Sequence, residues 1–243
     1  MTTLVINPNR VTANTELVQH WVNRWFGDNQ VLVVNPDWGP EELAGEWETQ
    51  LSATAVLDKV ATLDIDQLGI DGIVMAGFAE PGVEALREVV PVPVVDITES
   101  GPMAAMLTGR RYGIITSSHA AIPIVDDRLV ALGLHPRCNT VVAAGLGVPE
   151  MMADRRATAE RVISVGQELL HRHHCASIVL GCGGFTGLAA EISGQLGVPV
   201  IEPVRAAVEL VRGLTGIGAA APATTPTPRH IENWPLSHKP IPA

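Results

Sequence analysis

Cysteine is scarce in this 243-residue sequence, and the few that occur do not form a recognisable framework. The three cysteines, Cys138, Cys175 and Cys182, are an odd number, so they cannot all pair in disulfides within one chain. No CxxC motif and no histidine spacing typical of a zinc site accompanies them. We therefore expect reduced thiols, no metal site and a cytoplasmic setting.

Basic residues are also few, since 16 Lys and Arg stand against 26 Asp and Glu, giving a net charge of −10. Without a basic stripe we expect no nucleic-acid partner. The N-terminal segment "MTTLVINPN" has no basic region before a long apolar stretch, and no run of about 18 apolar residues occurs in the chain. We therefore expect no membrane association, and a soluble protein that acts on a small molecule.

Apolar residues are abundant, at 47% of the chain, which is enough for a substantial core. Eight short β-branched runs bounded by Gly, Pro or Asn are typical of fully buried strands. They are "TLVIN" (3–7), "VLVVN" (31–35), "GIVMA" (72–76), "VPVVDI" (92–97), "YGIIT" (112–116), "TVVAAGL" (140–146), "SIVLG" (177–181) and "VPVIEP" (198–203). Stretches with helical periodicity lie between them, which predicts an α/β fold with parallel sheets and helices on both faces.

The last four runs repeat the first four, because "IVMAG" at 73–77 matches "IVLGC" at 178–182 with a constant offset. We predict two pseudo-symmetric Rossmann-like lobes, each with a four-stranded parallel sheet: residues 1–107, completed by the C-terminal segment, and residues 108–213. Ligands of open parallel sheets bind beyond the carboxyl ends of the strands, so we expect the active site in the cleft between the lobes. Residues 214–243 lack periodicity, and they are either an arm that packs on a neighbouring subunit or a disordered tail.

Cys182 lies where a strand is predicted to give way to a helix, and Gly183 and Gly184 follow it. The N–H groups at a helix start favour an anion, and the same field favours a thiolate over a thiol. Cys182 is therefore a candidate catalytic acid or base, and the N–H groups of the two glycines could hold the oxyanion of an enolised substrate. The alternative is a small buried side chain that only fills the core.

The turns after the first strand of each lobe offer further candidates for substrate binding: Asn7, Asn9, Thr116, Ser117 and Ser118. Their side chains could hydrogen-bond a carboxylate or a cyclic amide, although the same residue types are ordinary helix caps. His119 follows this group and is a candidate second acid or base, with a solvated surface histidine as the alternative. The "HRHH" segment at 171–174 falls at a predicted helix end, where cations suit the helix dipole, and it is not interpreted as a metal site.

Four segments together resemble the hydantoin and allantoin racemases of the aspartate/glutamate racemase superfamily. They are "LVINPN", "GFAEPGVEAL", "VLGCGGFTGLA" and "GVPVIEPVRAAV", and the resemblance covers residues 3 to 213 in the right order. It implies two pseudo-symmetric α/β lobes, no cofactor, a homo-oligomer and two cysteines that face each other across the substrate carbon. One thiolate removes the α-proton, and the other thiol returns a proton to the opposite face.

This chain departs from that pattern, because the second family cysteine maps onto Cys182 whereas the first maps onto Gly77. A glycine has no proton to give. Arylmalonate decarboxylase, in the same superfamily, also has a glycine in the first position and one cysteine in the second, and there the loss of carbon dioxide creates the carbanion. That enzyme has small hydroxyl residues after its glycine, whereas Phe78 and Ala79 follow Gly77 here. Gly77 and Phe78 are predicted to line the substrate site.

Three functions stay open. The first is an isomerase of the hydantoin-racemase type that acts on a ureide or an amino-acid derivative, with Cys182 as one acid/base and His119, a water or another group as the second. The second is a one-thiol decarboxylase of a malonate-like acid. The third is a ligand-binding protein without turnover. The lineage favours the first function, and Gly77 favours the second.

Overall fold

The computed structural model describes residues 2–79 and 81–219, and these divide into two compact units. The first unit comprises residues 2–75, 81–95 and 208–219, and the second comprises residues 76–79 and 96–207. All eight predicted strands are present, and they form two four-stranded parallel sheets flanked by helices. The predicted α/β fold is therefore confirmed. The predicted arm or tail lies outside the described residues from position 220 onward.

The first sheet has the strand order β2-β1-β3-β4. Its strands are β1 (Thr2–Ile6), β2 (Val31–Val34), β3 (Ile70–Met75) and β4 (Val94–Asp96), and its flanking helices are α1 (Thr12–Phe26), α2 (Glu46–Ala61) and α3 (Val83–Val89). β1 pairs in parallel with both neighbours, so that Val5 lies opposite Val33 on one side and Val74 on the other. Short β-branched runs suit such strands because helices cover both faces of the sheet.

The helices of the first unit bury one apolar stripe each against this sheet. Val18 and Val22, one helical turn apart on α1, are fully buried. Val56 of α2 and Leu86 of α3 join a cluster with side chains of the sheet, which include Leu4, Ile6, Ile73 and Met75. Each fully buried side chain of this kind contributes about 1.5–3 kcal/mol to folding.

The second sheet repeats the order of the first, as β6-β5-β7-β8. Its strands are β5 (Tyr112–Thr116), β6 (Cys138–Ala143), β7 (Ser177–Gly181) and β8 (Val200–Ile201). Its helices are α4 (Ile97–Thr108), α5 (Ala121–Ala131), α6 (Val148–Ala153), α7 (Arg155–His173) and α8 (Ala189–Leu196). The last helix, α9 (Pro203–Gly216), begins in the second unit. Ile115 of β5 lies opposite Val142 and Leu180. The two sheets have the same strand order, as expected from the internal repeat in the sequence. α9 extends beyond the predicted start of the tail at 214 and ends in the first unit.

The boundary predicted at residue 107 is not where the two units divide. α4 belongs to the second unit because it packs closely on β7. A Cβ added to Gly101 would lie only 2.7 Å from Val179 Cγ1, so only a glycine lets the helix approach the strand this far. Ser177 Oγ also donates a hydrogen bond to Ala105 O over 3.3 Å. Residues 76–79 belong to the second unit as well, so Gly77 and Cys182 lie in the same unit.

Within residues 2–79 and 81–219, no helix is both long and apolar enough to cross a membrane. In the same ranges, no group of three or more His, Cys, Asp and Glu side chains is placed to hold a metal ion. The "HRHH" segment is a helix end, as predicted, because α7 ends at His173 and His174 adopts a left-handed conformation with φ of 51°.

Candidate functional site

Cys182 directly follows β7, a strand that is buried along its whole length between β5 and β8. Its backbone is extended, with φ of −160° and ψ of 137°, and its side chain is half-buried. The other two thiols are buried, and burial raises the pKa of Cys138 to about 12 and that of Cys175 in the same direction. Of the three thiols, Cys182 is therefore the one that a ligand can reach.

The chain after Cys182 forms a tight turn, and we call residues 182–187 the Cys182 turn. The predicted helix start is a single 3-10 turn over Gly183–Phe185, and α8 begins only at Ala189. Gly187, with φ of +88°, interrupts the chain before α8, a conformation that glycine adopts without strain. Gly184 N donates to Cys182 Sγ over 3.4 Å. This hydrogen bond favours the thiolate and replaces the predicted helix-dipole effect.

Both glycines of the Cys182 turn lie against close neighbours. A Cβ on Gly183 would lie 2.9 Å from Ala76 O, and a Cβ on Gly184 would lie 2.8 Å from Met151 Sδ and 3.5 Å from Cys182 Sγ. A larger residue at either position would push the turn away from these atoms. The Cys182 turn therefore packs against Ala76, the residue immediately before Gly77.

Residues 76–79 follow β3 and form the equivalent turn, which we call the Gly77 turn. Gly77 is buried, whereas Phe78 and Ala79 are half-buried and pack against the apolar core of the second unit. Ala79 N donates to Thr98 Oγ1 over 2.8 Å. Ala79 adopts φ of +85°, where an L-residue with a side chain is strained. The structure thus brings the Gly77 turn next to the Cys182 turn, as the internal repeat predicts for two equivalent loops.

Two ionisable residues that are not among the sequence-predicted candidates, Arg155 and Glu202, bind the backbone of the Cys182 turn. The half-buried Arg155, the first residue of α7, donates through Nη1 to Gly184 O and through Nη2 to Thr186 O, the latter over 2.7 Å. Glu202 Oε2 accepts a hydrogen bond from Gly187 N over 2.8 Å. The two side chains therefore bind three backbone groups within four consecutive residues.

Burial shifts the pKa values of both Arg155 and Glu202. Desolvation raises the pKa of Glu202 to about 7, against the lowering effects of the Gly187 N–H and of the Arg155 and Arg205 charges. Burial lowers the pKa of the Arg155 guanidinium, and the negative charges of Glu202 and of a Cys182 thiolate raise it again in part. The repeat could have identified Glu202, because "VPVIEP" at 198–203 corresponds to "VPVVDI" at 92–97 and so places Glu202 opposite Asp96.

Asn7 and Asn9 belong to the first unit, where they form a buried hydrogen-bond network at the start of α1. Asn7 Nδ2 donates to Thr15 Oγ1 over 2.9 Å and to Asn9 Oδ1 over 3.1 Å. Asn7 Oδ1 accepts from Asn14 Nδ2 over 3.1 Å, and Asn9 Oδ1 accepts from Val11 N over 3.0 Å. These bonds fix the turn before α1 but do not cap the helix, because Val11 occupies its N-cap position and no side chain makes a capping hydrogen bond there. A ligand-binding role for Asn7 and Asn9 stays a prediction.

Thr116 and Ser117 are buried at the end of β5, and Ser118 is half-buried. The carbonyl oxygens of Thr116 and Ser117 accept hydrogen bonds of 2.8 Å from Ala144 N and Gly145 N, which follow β6. The backbone of this loop is therefore fixed to the neighbouring strand end. That the three side chains bind substrate stays a prediction.

His119 is exposed, and it lines a groove of about 330 Å³ along β6, the edge strand of the second sheet. The residues that share this groove come from β6, α5 and α7, and they include Ile122, Val141, Arg161, Leu169 and His173. Cys182 is not among the residues that line it. The exposure matches the solvated histidine that the sequence left open, and a catalytic role for His119 stays a prediction.

Comparisons with known proteins agree with this architecture. The sequence profile of the family described as Asp/Glu/Hydantoin racemase matches residues 4–211. The hydantoin racemase of Rhizobium meliloti is 31% identical over 224 residues, 89% of this chain and 89% of that protein. The crystal structure of allantoin racemase from Pseudomonas fluorescens superimposes with a TM-score of 0.87 and 33% identity, covering 96% of this chain and all of that chain. Arylmalonate decarboxylase shares the fold, with a TM-score of 0.62 and 20% identity over 92% of this chain and 97% of that chain.

Proposed function

Because the chain belongs to the Asp/Glu/hydantoin racemase family, we propose that it is a cofactor-independent isomerase that inverts the stereocentre of a small carbon acid. The hydantoin and allantoin racemases among its relatives support an enzyme of the isomerase class. The substrate class that we propose is a hydantoin, another ureide or a related amino-acid derivative. Such substrates carry a hydrogen on a carbon next to a carbonyl group.

The observation that carries this proposal is the Cys182 turn. It presents a half-buried thiol with a backbone N–H on its sulfur, beside the Gly77 turn. A thiolate in this position can take the α-proton, so that an S–H bond forms while the electrons of the C–H bond move into the adjacent carbonyl. N–H groups of the Cys182 turn are candidates to stabilise the resulting oxyanion.

Inversion also needs a proton on the opposite face of the substrate. Gly77 supplies no acidic side chain, so this proton comes from a water molecule or from another residue. His119 is the residue that the sequence offers, and Phe78 of the Gly77 turn provides apolar surface for the part of the substrate that does not react. In this scheme proton transfer on the Cys182 face is fast, and proton transfer on the opposite face limits the rate of inversion.

The test is hydrogen exchange in deuterated water. Single enantiomers of hydantoins and of allantoin are incubated with the protein, the α-hydrogen is followed by NMR and the optical rotation is followed in parallel. We expect exchange with the unmodified protein and a loss of about 10²–10⁴-fold in Cys182→Ser, the range that a positioned acid/base contributes. Cys175→Ser, which changes a buried thiol elsewhere in the same unit, is the matched control and retains exchange. Absence of exchange across the whole panel would contradict the isomerase proposal.

Gly77 supports a second candidate function, a one-thiol decarboxylase. There the C–C bond to a carboxylate breaks, carbon dioxide leaves, and the Cys182 S–H delivers its proton to the carbanion. A panel of substituted malonates tests this function by carbon dioxide release, which must be lost in Cys182→Ser. Release of carbon dioxide without α-hydrogen exchange of hydantoins would replace the isomerase proposal with this one. Ligand binding that survives Cys182→Ala without any turnover would support a binding protein instead.

A further inference from the structure

The peptide bond between Thr186 and Gly187 is held at both ends by ionisable side chains. Its carbonyl oxygen accepts from Arg155 Nη2 over 2.7 Å, and its N–H donates to Glu202 Oε2 over 2.8 Å. The peptide between Gly184 and Phe185 is also fixed, because Gly184 O accepts from Arg155 Nη1 and Phe185 N donates to Cys182 O over 3.1 Å. Two of the three peptide bonds between Gly184 and Gly187 are therefore anchored.

Charge-assisted hydrogen bonds to backbone groups are about twice as strong as neutral ones, and a planar guanidinium fixes two carbonyls in one geometry. Arg155 binds the carbonyl of Gly184, two residues after Cys182, and the negative charge of a Cys182 thiolate raises the pKa of its guanidinium. A cation beside a thiolate favours the charged form of the sulfur. The arrangement therefore restrains the turn and stabilises a negative charge on the sulfur at its start.

We propose that Arg155 and Glu202 are positioning residues of the Cys182 turn, which keep the thiol aligned with the Gly184 N–H and supply a positive charge to its thiolate. The role of the thiol as an acid/base rests on the proposed function above. The restraint of the turn rests on the hydrogen bonds of Arg155 and Glu202, and the effect on the sulfur rests on the charge that these bonds hold beside the turn. The two parts can therefore be tested separately.

The experiment measures the rate at which iodoacetamide alkylates Cys182 as a function of pH, with the modified peptide identified by mass spectrometry. Cys138 and Cys175 are buried and serve as internal references. In Arg155→Met we expect the alkylation midpoint to move upward by about one pH unit, because an opposite charge has been removed from a thiolate. Arg155→Lys keeps the positive charge but cannot bind both carbonyl groups in the same geometry. Its alkylation midpoint should therefore lie between those of the unmodified protein and Arg155→Met. Arg156→Met is the matched control, since Arg156 is 88% exposed on the next position of α7 and pairs with Glu160.

Glu202 is tested by a conservative and a disruptive variant. Glu202→Gln retains an oxygen that accepts from Gly187 N, so the alkylation rate should stay within about threefold of the unmodified protein, whereas Glu202→Leu should lose about tenfold. On a substrate that undergoes exchange, Arg155→Met and Glu202→Leu should lower kcat much more than they change KM. A fall in kcat with little change in KM indicates that the thiol has lost its alignment, whereas a rise in KM would indicate weaker substrate binding.

The outcomes distinguish the two proposals. If Arg155→Met and Arg155→Lys are folded by circular dichroism and alkylate with the profile of the unmodified protein, the positioning role is wrong. The same conclusion follows if Glu202→Gln and Glu202→Leu behave alike. If the alkylation profile moves as expected while the unmodified protein exchanges no substrate, the positioning role stands and the proposed isomerase function fails.

Discussion

The Gly77 turn and the Cys182 turn follow equivalent strands, β3 and β7, yet different chemistry holds each of them. The neutral hydroxyl of Thr98 accepts the N–H of Ala79 in the Gly77 turn. A cation and a carboxylate, Arg155 and Glu202, bind the backbone of the Cys182 turn. The charged anchors therefore accompany the turn that has a thiol. Under the proposed function, the side chains of Arg155 and Glu202 restrain the turn that carries the acid/base thiol.

The two sheets nevertheless share one feature, a carboxylic acid at the end of the last strand of each. Asp96 ends β4 and caps α4, where its Oδ1 accepts from Glu99 N over 2.7 Å. Glu202 follows β8 and precedes α9. Desolvation raises the pKa of each acid to about 7, and Glu99 adds to the effect at Asp96. An acid therefore stands at the equivalent place in both halves, buried in the first and half-buried in the second, while the residues at the turns, Gly77 and Cys182, differ.

Among the changes that alter the comparison of the two turns, Gly77→Cys, which restores their symmetry, is expected to have the largest effect. A second thiol could return the proton to the opposite face, so racemisation measured by polarimetry should rise by about 10- to 100-fold. Gly194→Cys is the control, because a Cβ at Gly194 meets no heavy atom within 4 Å and lies in α8, away from both turns. A folded Gly77→Cys protein that stays at the original rate would show that the two turns do not face a common substrate carbon.

The contact between the two turns can be broken by Gly183→Ala. The added Cβ would lie 2.9 Å from Ala76 O, a backbone atom that cannot move cheaply, so the free energy of unfolding in urea should fall by about 1–3 kcal/mol. Gly194→Ala is the matched change in an open helical position, where replacing glycine should raise stability by about 1 kcal/mol. Equal effects of the two substitutions would contradict the packing of Gly183 against Ala76.

The shared acids predict a pH dependence of stability. Asp96 and Glu202 have ordinary values of 3.8 and 4.5 and folded-state pKa values of about 7, so the folded state favours their protonated forms. Their stabilising contribution is complete at low pH and is lost as the pH rises from about 4 through 7. The free energy of unfolding should therefore decrease by about 3–5 kcal/mol between pH 5 and pH 8 through these two groups together.

The double variant Asp96→Asn with Glu202→Gln tests this dependence. Both amides retain an oxygen acceptor for the Glu99 and Gly187 N–H groups, and asparagine is a good helix cap. The difference in unfolding free energy between pH 5 and pH 8, measured by urea denaturation, should shrink in the variant. Parallel pH profiles of the two proteins would show that the acids do not titrate in this range.

The smallest expected effect concerns the strain in the Gly77 turn. Ala79→Gly should raise the free energy of unfolding by about 0.5–1 kcal/mol, because relief of a φ of +85° exceeds the extra entropy of an unfolded glycine. Ala157→Gly, on an exposed position of α7, should instead lower it by about 1 kcal/mol. A loss of stability in Ala79→Gly would mean that the Ala79 conformation is not strained.

The sequence predicted the strands and the turn that carries Cys182 because both are local patterns. The run "SIVLG" followed by Cys182 identifies a buried strand and the turn at its end without any knowledge of its neighbours. The structure divides its two units before α4 rather than at residue 107, for the opposite reason. α4 joins the second unit through the close approach of Gly101 to Val179, and two residues so far apart in sequence leave no local signal of contact.

The sequence predicted a helix directly after Cys182, but the structure has a 3-10 turn there and α8 begins at Ala189. Glycines after a strand indicate a turn, but they do not distinguish a 3-10 turn from an α-helix. Gly187 decides this in the structure, because its positive φ directs the chain toward the Glu202 carboxylate before α8 begins. Arg155 was missed because it contributes from the start of α7, and nothing in its own segment indicates a contact with Gly184 or Thr186.

By itself the sequence determined the two four-stranded parallel sheets, the order of their elements and the unequal pair Gly77 and Cys182, because apolar periodicity and an internal repeat are visible in one dimension. Only the tertiary structure decided which helix each sheet recruits, that Gly183 packs against Ala76, and that Arg155 and Glu202 hold the turn with the thiol. Those contacts depend on distances between segments that are remote in the chain. They form only after folding has brought these segments together, when a glycine allows a close approach of two backbones and an ionisable side chain can reach a remote backbone group.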